Sequence, residues 1–122
     1  MTLEENRKLK RKLKKAGYII KDSYTNKDEW VAEMKIPAEL KNSIKHRDAN
    51  TMTIVDCSYE EMDRMKYRKK LNGKWEEIWD YRRMEDFELN DVLKAVGDLD
   101  LMFKNLLIEK KLQKIKEMCG DD

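Results

Sequence analysis

The chain has 122 residues, of which 43% are charged and 40% apolar, and its net charge at pH 7 is only +2. That length suffices for one domain around one modest core, and the apolar residues fall in periodic segments, so the composition excludes a disordered chain. No apolar run is long enough to span a bilayer and no signal-peptide core is present, which predicts a cytoplasmic protein without a membrane partner.

The cysteines and the single histidine exclude two further classes of protein. Cys57 and Cys119 lie far apart in the sequence and form no disulfide framework. Together with His46 they do not give the ligand spacing of a zinc site. We therefore expect a reducing, intracellular compartment, no bound metal and no cofactor.

Charges of opposite sign alternate in blocks along the chain. The successive blocks and their net charges are 1–21 (+6), 22–63 (−5), 64–83 (+5), 84–103 (−5) and 104–122 (+1). We expect the basic and acidic blocks to pair within the fold; the alternative is a basic face and an acidic face that are open to partners.

The first predicted element is a basic helix from Leu3 to Ala16. Thr2 and Glu5 have the spacing of a capping box, and Gly17 ends the run. Its apolar residues recur at helical spacing but are few, namely Leu9, Leu13 and Ala16. Because that apolar face is narrow, we expect the helix to pack only lightly on the core.

Short strands follow the helix. Residues 18–23 are β-prone, residues 25–28 have turn chemistry, and strict alternation predicts a second strand that buries Trp30, Ala32, Met34 and Ile36. Pro37 suits the start of a short helix over 38–44. A further strand is predicted at 51–57, with Met52 and Ile54 on one face and Thr53 and Val55 on the other.

The segment after that strand allows two structures. Ser58 and Glu61 form a second capping box, which predicts one or two helical turns. Asn72-Gly73 then favours a type I′ hairpin with strands near 64–71 and 74–82. Its predicted pairs are Lys70 with Trp75, Lys69 with Glu76, Arg68 with Glu77, Tyr67 with Ile78, and Lys66 with Trp79. The alternative is a helical hairpin that ends at Gly73 and buries Trp75, Ile78 and Trp79.

Two C-terminal helices, over 90–96 and 99–118, are predicted to pack on the sheet. Asn90 would cap the first and Gly97 would end it. The second is expected to be buried nearly all round in its first half, because seven of the ten residues from Leu99 to Ile108 are apolar. This arc can exceed what a small sheet covers, so residues 99–108 are also a candidate homodimer contact.

These elements predict a single α+β domain over residues 1–122. It would contain an N-terminal basic helix, an antiparallel sheet of four or five strands that includes the 64–82 hairpin, and the two C-terminal helices.

Two surfaces have the chemistry of a binding site. If the predicted register holds, cations and aromatic rings share one face of the hairpin, as single-stranded nucleic acid binding requires. These residues are Lys66, Arg68, Lys70, Trp75, Trp79, Arg82 and Arg83. The alternative is that both tryptophans are core, with Lys and Arg stems over them. The second surface is the first helix, where Arg7, Lys8 and Arg11 could face phosphates or an acidic protein.

No catalytic constellation is apparent in the sequence. The tripeptide His46-Arg47-Asp48 matches part of a kinase catalytic loop, but the chain is too short for a kinase and lacks its other motifs. We therefore predict a non-catalytic binding protein and not an enzyme. The class that fits best is a small regulator or inhibitor, of the kind that phages and mobile elements carry, docking on a protein partner that handles nucleic acid. The alternative is direct RNA or DNA binding through residues 64–83 and 3–16.

Overall fold

The described part of the chain forms two helices and a five-stranded antiparallel sheet. The structure is a computed structural model that describes residues 1–40, 50–58, 60–69 and 75–120, with the backbone alone at 66–69 and 75. Its elements are α1 (Leu3–Lys15), β1 (Ile19–Asp22), β2 (Trp30–Lys35), a 3₁₀ turn (Ala38–Leu40), β3 (Thr51–Cys57), β4 (Glu61–Lys69), β5 (Trp75–Arg83), a second 3₁₀ turn (Met84–Asp86) and α2 (Leu89–Met118). The strands lie side by side in sequence order. The predicted α+β class is confirmed.

The N-terminal helix is confirmed, and it packs more firmly than predicted. The Thr2 hydroxyl accepts from the Glu5 backbone N–H and the Glu5 carboxylate accepts from the Thr2 N–H, which completes the capping box. Gly17 follows the helix with a φ of 100°, a conformation that favours glycine. Leu9 and Leu13 are fully buried. Burial of both leucines anchors α1 on the core, although its apolar face is narrow.

The alternation predicted for β2 is confirmed, and that for β3 is partly wrong. Trp30, Ala32 and Met34 are all buried, as a strand with one core face requires. Between the pairs Ala32–Val55 and Glu33–Thr53, however, β3 holds one extra residue, Ile54. This bulge lets the neighbouring Ile54 and Val55 both be buried, whereas strict alternation would have turned Val55 to the other face.

Residues 61–83 form two paired strands, so the helical hairpin is wrong. The helical turns predicted after Ser58 are also wrong. The Ser58 backbone N–H and hydroxyl donate to the Glu61 carbonyl at 2.9 and 3.2 Å, and Cys57 pairs with Met62. The capping-box residues therefore close the connection between β3 and β4, because serine bonds equally well to nearby backbone in turns.

The register of the β4–β5 pair differs from the predicted one by one residue. Lys69 pairs with Trp75, Arg68 with Glu76, Tyr67 with Glu77, Lys66 with Ile78, and Met65 with Trp79. Because side chains alternate between the faces of a strand, a one-residue shift exchanges the faces. The predicted turn at Asn72-Gly73 and the helix predicted beyond Leu40, with His46 after it, lie outside the described residues.

The two predicted C-terminal helices are one helix of 30 residues, α2, which begins at Leu89. Asn90 is therefore inside it, and Gly97 does not end it. The buried residues Val92, Val96, Leu99 and Phe103 are spaced by 4, 3 and 4, so one apolar stripe crosses Gly97 in continuous helical phase. A break at Gly97 would have rotated the second half of α2, with Leu99 and Phe103, away from the core. The loss of their burial would cost more than the roughly 1 kcal/mol by which a glycine destabilises a helix.

Substituting Gly97 with alanine is expected to raise the free energy of unfolding by about 0.5–1 kcal/mol, because alanine restricts the unfolded chain and suits a helix. Gly97 has no positive φ, and a β-carbon there would have no neighbour within 4 Å. Urea denaturation followed by circular dichroism measures the change.

Gly17→Ala is the matched control for that substitution. The φ of 100° at Gly17 strains any side chain, so the same chemical change should lower the free energy of unfolding by about 1–2 kcal/mol. A loss of stability in Gly97→Ala would show that α2 is interrupted there.

Candidate interaction surfaces

The β4–β5 pair does not assemble the predicted basic and aromatic face. The observed register sets positions 66 and 68 opposite Ile78 and Glu76, on the other face of the sheet from position 79. Trp79 is 40% exposed, and its indole N–H donates to the Glu77 carboxylate at 3.0 Å. Trp79 is thus not a buried core residue. Lys70 and the side chains of Lys66, Arg68 and Trp75 lie outside the described part.

The two predicted arginines at the end of β5 have separate environments. Arg83 is exposed and lies 3.6 Å from the Glu85 carboxylate. Arg82 belongs to a group with Arg64, Asp80 and Phe87, which we call the Arg64 cluster. In it the Asp80 carboxylate accepts from Arg64 Nη2 at 3.0 Å and from Arg82 Nε and Nη2 at 3.0 and 2.9 Å. Both guanidinium groups lie near the Phe87 ring, at 5.7 and 5.1 Å from its centre.

The Arg64 cluster links α2 to the sheet by hydrogen bonds. Arg64 and Asp80 are 14% and 15% exposed, and Arg64 Nη1 donates to the Asp91 carbonyl in the first turns of α2 at 3.0 Å. Burial alone would raise the pKa of Asp80, but the hydrogen bonds from Arg82 and Arg64 outweigh it and lower that pKa. The carboxylate therefore stays ionised and is occupied by its own neighbours.

A cleft of about 510 Å³ adjoins the Arg64 cluster along α2. Its lining mixes three cations, Arg64, Arg82 and Lys94, with three carboxylates, Glu88, Asp91 and Asp98. Because the signs balance, the cleft has no net charge that would select an anion or a cation. Arg64, which lines the cleft, bonds α2 to the sheet, and the lining as a whole does not form a recognisable site.

The basic face of α1 is partly neutralised within the fold. Arg7 donates to both oxygens of Asp28 at 2.9 and 3.2 Å, and this hydrogen bonding lowers the pKa of Asp28. Two further ion pairs join the first basic block to the acidic one, Lys10 with Asp22 and Lys21 with Glu33. The predicted pairing of these two blocks is confirmed. Lys8 and Arg11 are exposed and form no ion pair with the described residues.

The largest exposed apolar feature lies on α2. Four side chains on this helix, Leu101, Ile108, Leu112 and Ile115, are each 55–56% exposed. We call them the outer stripe. No residue of α2 after Phe103 is buried. The prediction that Leu99–Ile108 is buried all round is thus wrong: Leu99 and Phe103 face the core, while Leu101 and Ile108 face outward.

A buried polar contact between α1 and the sheet was not predicted. Asn6 is fully buried; its carbonyl oxygen accepts from the Trp30 indole N–H at 3.0 Å, and its amide donates to Cys57 Sγ at 2.8 Å. Burial raises the pKa of the Cys57 thiol to about 11, although the Asn6 hydrogen bond opposes the rise. The thiol is therefore protonated at neutral pH and is a packing group, not a nucleophile.

Comparison of the chain with protein-family models, with curated proteins and with solved structures finds no match. Among the residues that the structure describes, no group of three or more His, Cys, Asp or Glu side chains could hold a metal ion. Neither α1 nor α2 has an apolar stretch of the length that crossing a bilayer requires. The candidate sites on the described residues are therefore the outer stripe and the charged surfaces.

Proposed function

We propose that the protein is a non-catalytic binding protein, a small regulator or inhibitor that docks on another polypeptide through the outer stripe. The observation that carries this proposal is the exposure of Leu101, Ile108, Leu112 and Ile115 along one line of α2. A single exposed leucine needs no explanation, but aligned apolar side chains on the solvent-facing side of a helix are typical of helix-mediated recognition. Intracellular action belongs to the same proposal.

We propose that the partner handles nucleic acid because exposed carboxylates precede the stripe along the chain, chiefly Glu85 and Asp86 in the turn before α2. Three further exposed carboxylates, Glu88, Asp91 and Asp98, line the cleft, where Arg64, Arg82 and Lys94 balance them. Proteins that bind nucleic acid present basic surfaces, and an acidic surface is complementary to them. Such complementarity raises the rate of association and makes binding weaker as salt increases.

Capture from a nuclease-treated host lysate tests the proposal. The immobilised protein is expected to retain a specific protein, and Leu112→Lys is expected to abolish its retention because a charge in an apolar contact must be desolvated. Tyr24→Lys is the matched control, since Tyr24 is fully exposed and far from the stripe in sequence. Equal retention by wild type and Leu112→Lys would overturn docking through the outer stripe.

Direct RNA or DNA binding is the second candidate function, through α1 alone because the β4–β5 pair does not assemble its predicted face. The exposed Lys8 and Arg11, which form no ion pair with described residues, favour it. Omission of the nuclease from the capture experiment distinguishes the two. Nucleic acid that is retained at about 50 mM salt, lost at about 200 mM and weakened by Arg11→Ala would support this second function. No nucleic acid at either salt would remove it.

A further inference from the structure

The outer stripe is part of a longer periodic pattern. With Asn105 and Cys119 it gives Leu101, Asn105, Ile108, Leu112, Ile115 and Cys119, which are spaced alternately by 4 and 3 residues. That spacing defines a heptad repeat in which Asn105, Leu112 and Cys119 occupy a positions and Leu101, Ile108 and Ile115 occupy d positions. All six residues are exposed. We infer that this face is the seam of a parallel, two-stranded coiled coil between two copies of the chain.

The seam lies on the side of α2 that faces away from the fold. At 100° per residue, Leu101 and Ile108 fall on the side of the helix opposite Val92, Val96 and Phe103, which are buried. A second helix can therefore lie along the seam without displacing the core. The seam spans roughly 27 Å, at 1.5 Å per residue. Because the fold already holds the beginning of this helix, association does not have to nucleate it.

The seam residues and their neighbours favour two strands. Leu112 occupies an a position and Ile108 a d position. Without other determinants, leucine at the a position with isoleucine at the d position favours trimers and tetramers. A polar Asn105 at an a position opposes this, because it sets the register and the number of strands at some cost in stability. The apolar seam is also narrow, being flanked by Lys104, Glu109, Lys111 and Lys116 at e and g positions. Three or four strands would bury these charges.

Charge complementarity across the seam is partial. In a parallel pair, the g position of one chain meets the e position five residues later in the other. This brings Lys104 to Glu109 of the second copy, and the symmetry of the dimer makes the contact twice. Lys104 also bonds Asp100 of its own helix at 2.9 Å and has donors for both carboxylates. Lys111 instead meets Lys116 of the second copy, so the expected dissociation constant is moderate, on the order of 1–100 μM.

Sedimentation of the full chain over a range of concentrations tests the dimer. Ile108→Lys and Leu112→Lys are each expected to give a monomer up to about 0.5 mM, because the seam would then bury a charge. Tyr24→Lys, the matched control, is expected to dimerise as wild type does, and circular dichroism confirms that each variant is folded. A monomeric wild type, a trimer or tetramer, or dimers that persist in both seam variants would overturn the inference.

A charge substitution tests the parallel arrangement. Lys116→Glu replaces the repulsion with Lys111 of the second copy by an attraction, so the dimer is expected to tighten about threefold to tenfold. Lys114→Glu makes the same change in net charge at a c position, off the seam, and is the matched control. Equal tightening in both variants would show that only net charge matters and would overturn the pairing.

Cys119 reports the relative direction of the helices. In a parallel pair the two Cys119 thiols lie side by side, whereas in an antiparallel pair they lie at opposite ends of the seam. Oxidised glutathione, which takes up the two electrons and two protons that the thiols lose, is expected to link wild-type chains covalently. Cys119→Ser removes the link, since Cys57 is buried. A dimer by sedimentation that does not cross-link through Cys119 would overturn the parallel direction.

This inference rests on the proposed function only in that both place a polypeptide on the outer stripe, and a second copy of the chain would compete there with a nucleic-acid-handling partner. The two fail in different ways. A chain that is monomeric but captures another protein through Leu112 retains the proposed function and loses the dimer. A chain that dimerises through Leu112 but whose capture of a partner is unchanged by Leu112→Lys retains the dimer and loses docking of that partner on the stripe.

Discussion

Asp80→Asn is expected to lower the free energy of unfolding at pH 7 by about 3 kcal/mol. The carboxylate accepts three hydrogen bonds from Arg64 and Arg82, and only 14% of the Arg64 side chain is exposed. Asparagine keeps the shape of the side chain but removes the charge, so the Arg64 guanidinium is left buried beside Arg82 without an anion. Arg82 is half exposed, and solvent screening keeps the effect below the upper end of the range for buried pairs.

The loss in Asp80→Asn should depend on pH in a defined direction. The pKa of Asp80 is lower in the folded state than its ordinary value of 3.8, so its ionised form stabilises the fold above that value. This stability is lost as the pH falls through the folded-state pKa. Wild type and Asp80→Asn should therefore differ fully at pH 6–7, and their free energies of unfolding should converge as the pH falls below 3.8 and through the folded-state pKa.

Urea denaturation at a series of pH values measures that difference, with Glu85→Gln as the control. Glu85 lies in the neighbouring turn and is 70% exposed, and removing its charge should change the free energy of unfolding by less than about 0.5 kcal/mol. If the Asp80→Asn loss persisted unchanged at low pH, it would come from packing and not from the ion pair.

Elements with a strong local signal could be predicted from the sequence. The capping box at Thr2, the glycine after α1 and the alternation that begins at Trp30 each depend on neighbouring residues, and the structure confirms them. The bulge at Ile54 could not be predicted in this way, because it depends on how β2 and β3 meet. Alternation within one strand contains no information about the partner strand.

The register of β4 and β5 shows what a turn motif alone can miss. Asn72-Gly73 favours a two-residue turn and thus the predicted register, which gave opposite charges at two pairs near the turn. The observed register pairs Arg64 with Asp80, Glu61 with Arg83, and Arg68 with Glu76 along the whole length. Over the same strands the predicted register would also give three opposite-charge pairs, because it adds Asp63 with Arg82 to Arg68 with Glu77 and Lys69 with Glu76. Cross-strand charge alone therefore does not decide between the two registers.

The site on α2 was located only in part, as a candidate contact over residues 99–108, because a high apolar content was taken to mean burial. The buried and exposed apolar residues interleave between Leu99 and Ile108, and only their helical phase separates the two stripes. Interpreting Gly97 as the end of a helix also obscured the two stripes, because it removes the helical phase relation between Val96 and Leu99. With one continuous helix, the sequence itself shows a core stripe and an outer stripe.

Asn6 could have been recognised from its position, although its partner could not. It lies three residues before Leu9 and seven before Leu13, which places it on the buried face of α1. A polar side chain there must find a hydrogen-bond partner within the core. That the partner is Trp30, 24 residues away, follows only from the packing of α1 on the sheet.

Substitutions at Asn6 and Trp30 are expected to be strongly coupled. Asn6→Leu leaves the buried Trp30 indole N–H without an acceptor and should lower the free energy of unfolding by about 2–3 kcal/mol. Trp30→Phe leaves the Asn6 carbonyl without a donor and shrinks a core side chain, which should cost a similar amount, about 2–3 kcal/mol.

Combined in one chain, the two substitutions remove both polar groups, so neither is left unsatisfied. The double variant Asn6→Leu/Trp30→Phe should therefore be more stable than the sum of the single losses predicts, by about 1–2 kcal/mol. Leu13→Ala combined with Trp30→Phe is the control cycle, because Leu13 is buried on the same face of α1 but has no polar group to leave unpaired. Additive losses in the Asn6 cycle would mean that the amide contributes through its volume and not through its hydrogen bond. A coupling confined to the Asn6 cycle would instead show that the hydrogen bond from the Trp30 indole to the Asn6 carbonyl stabilises the packing of α1 on the sheet.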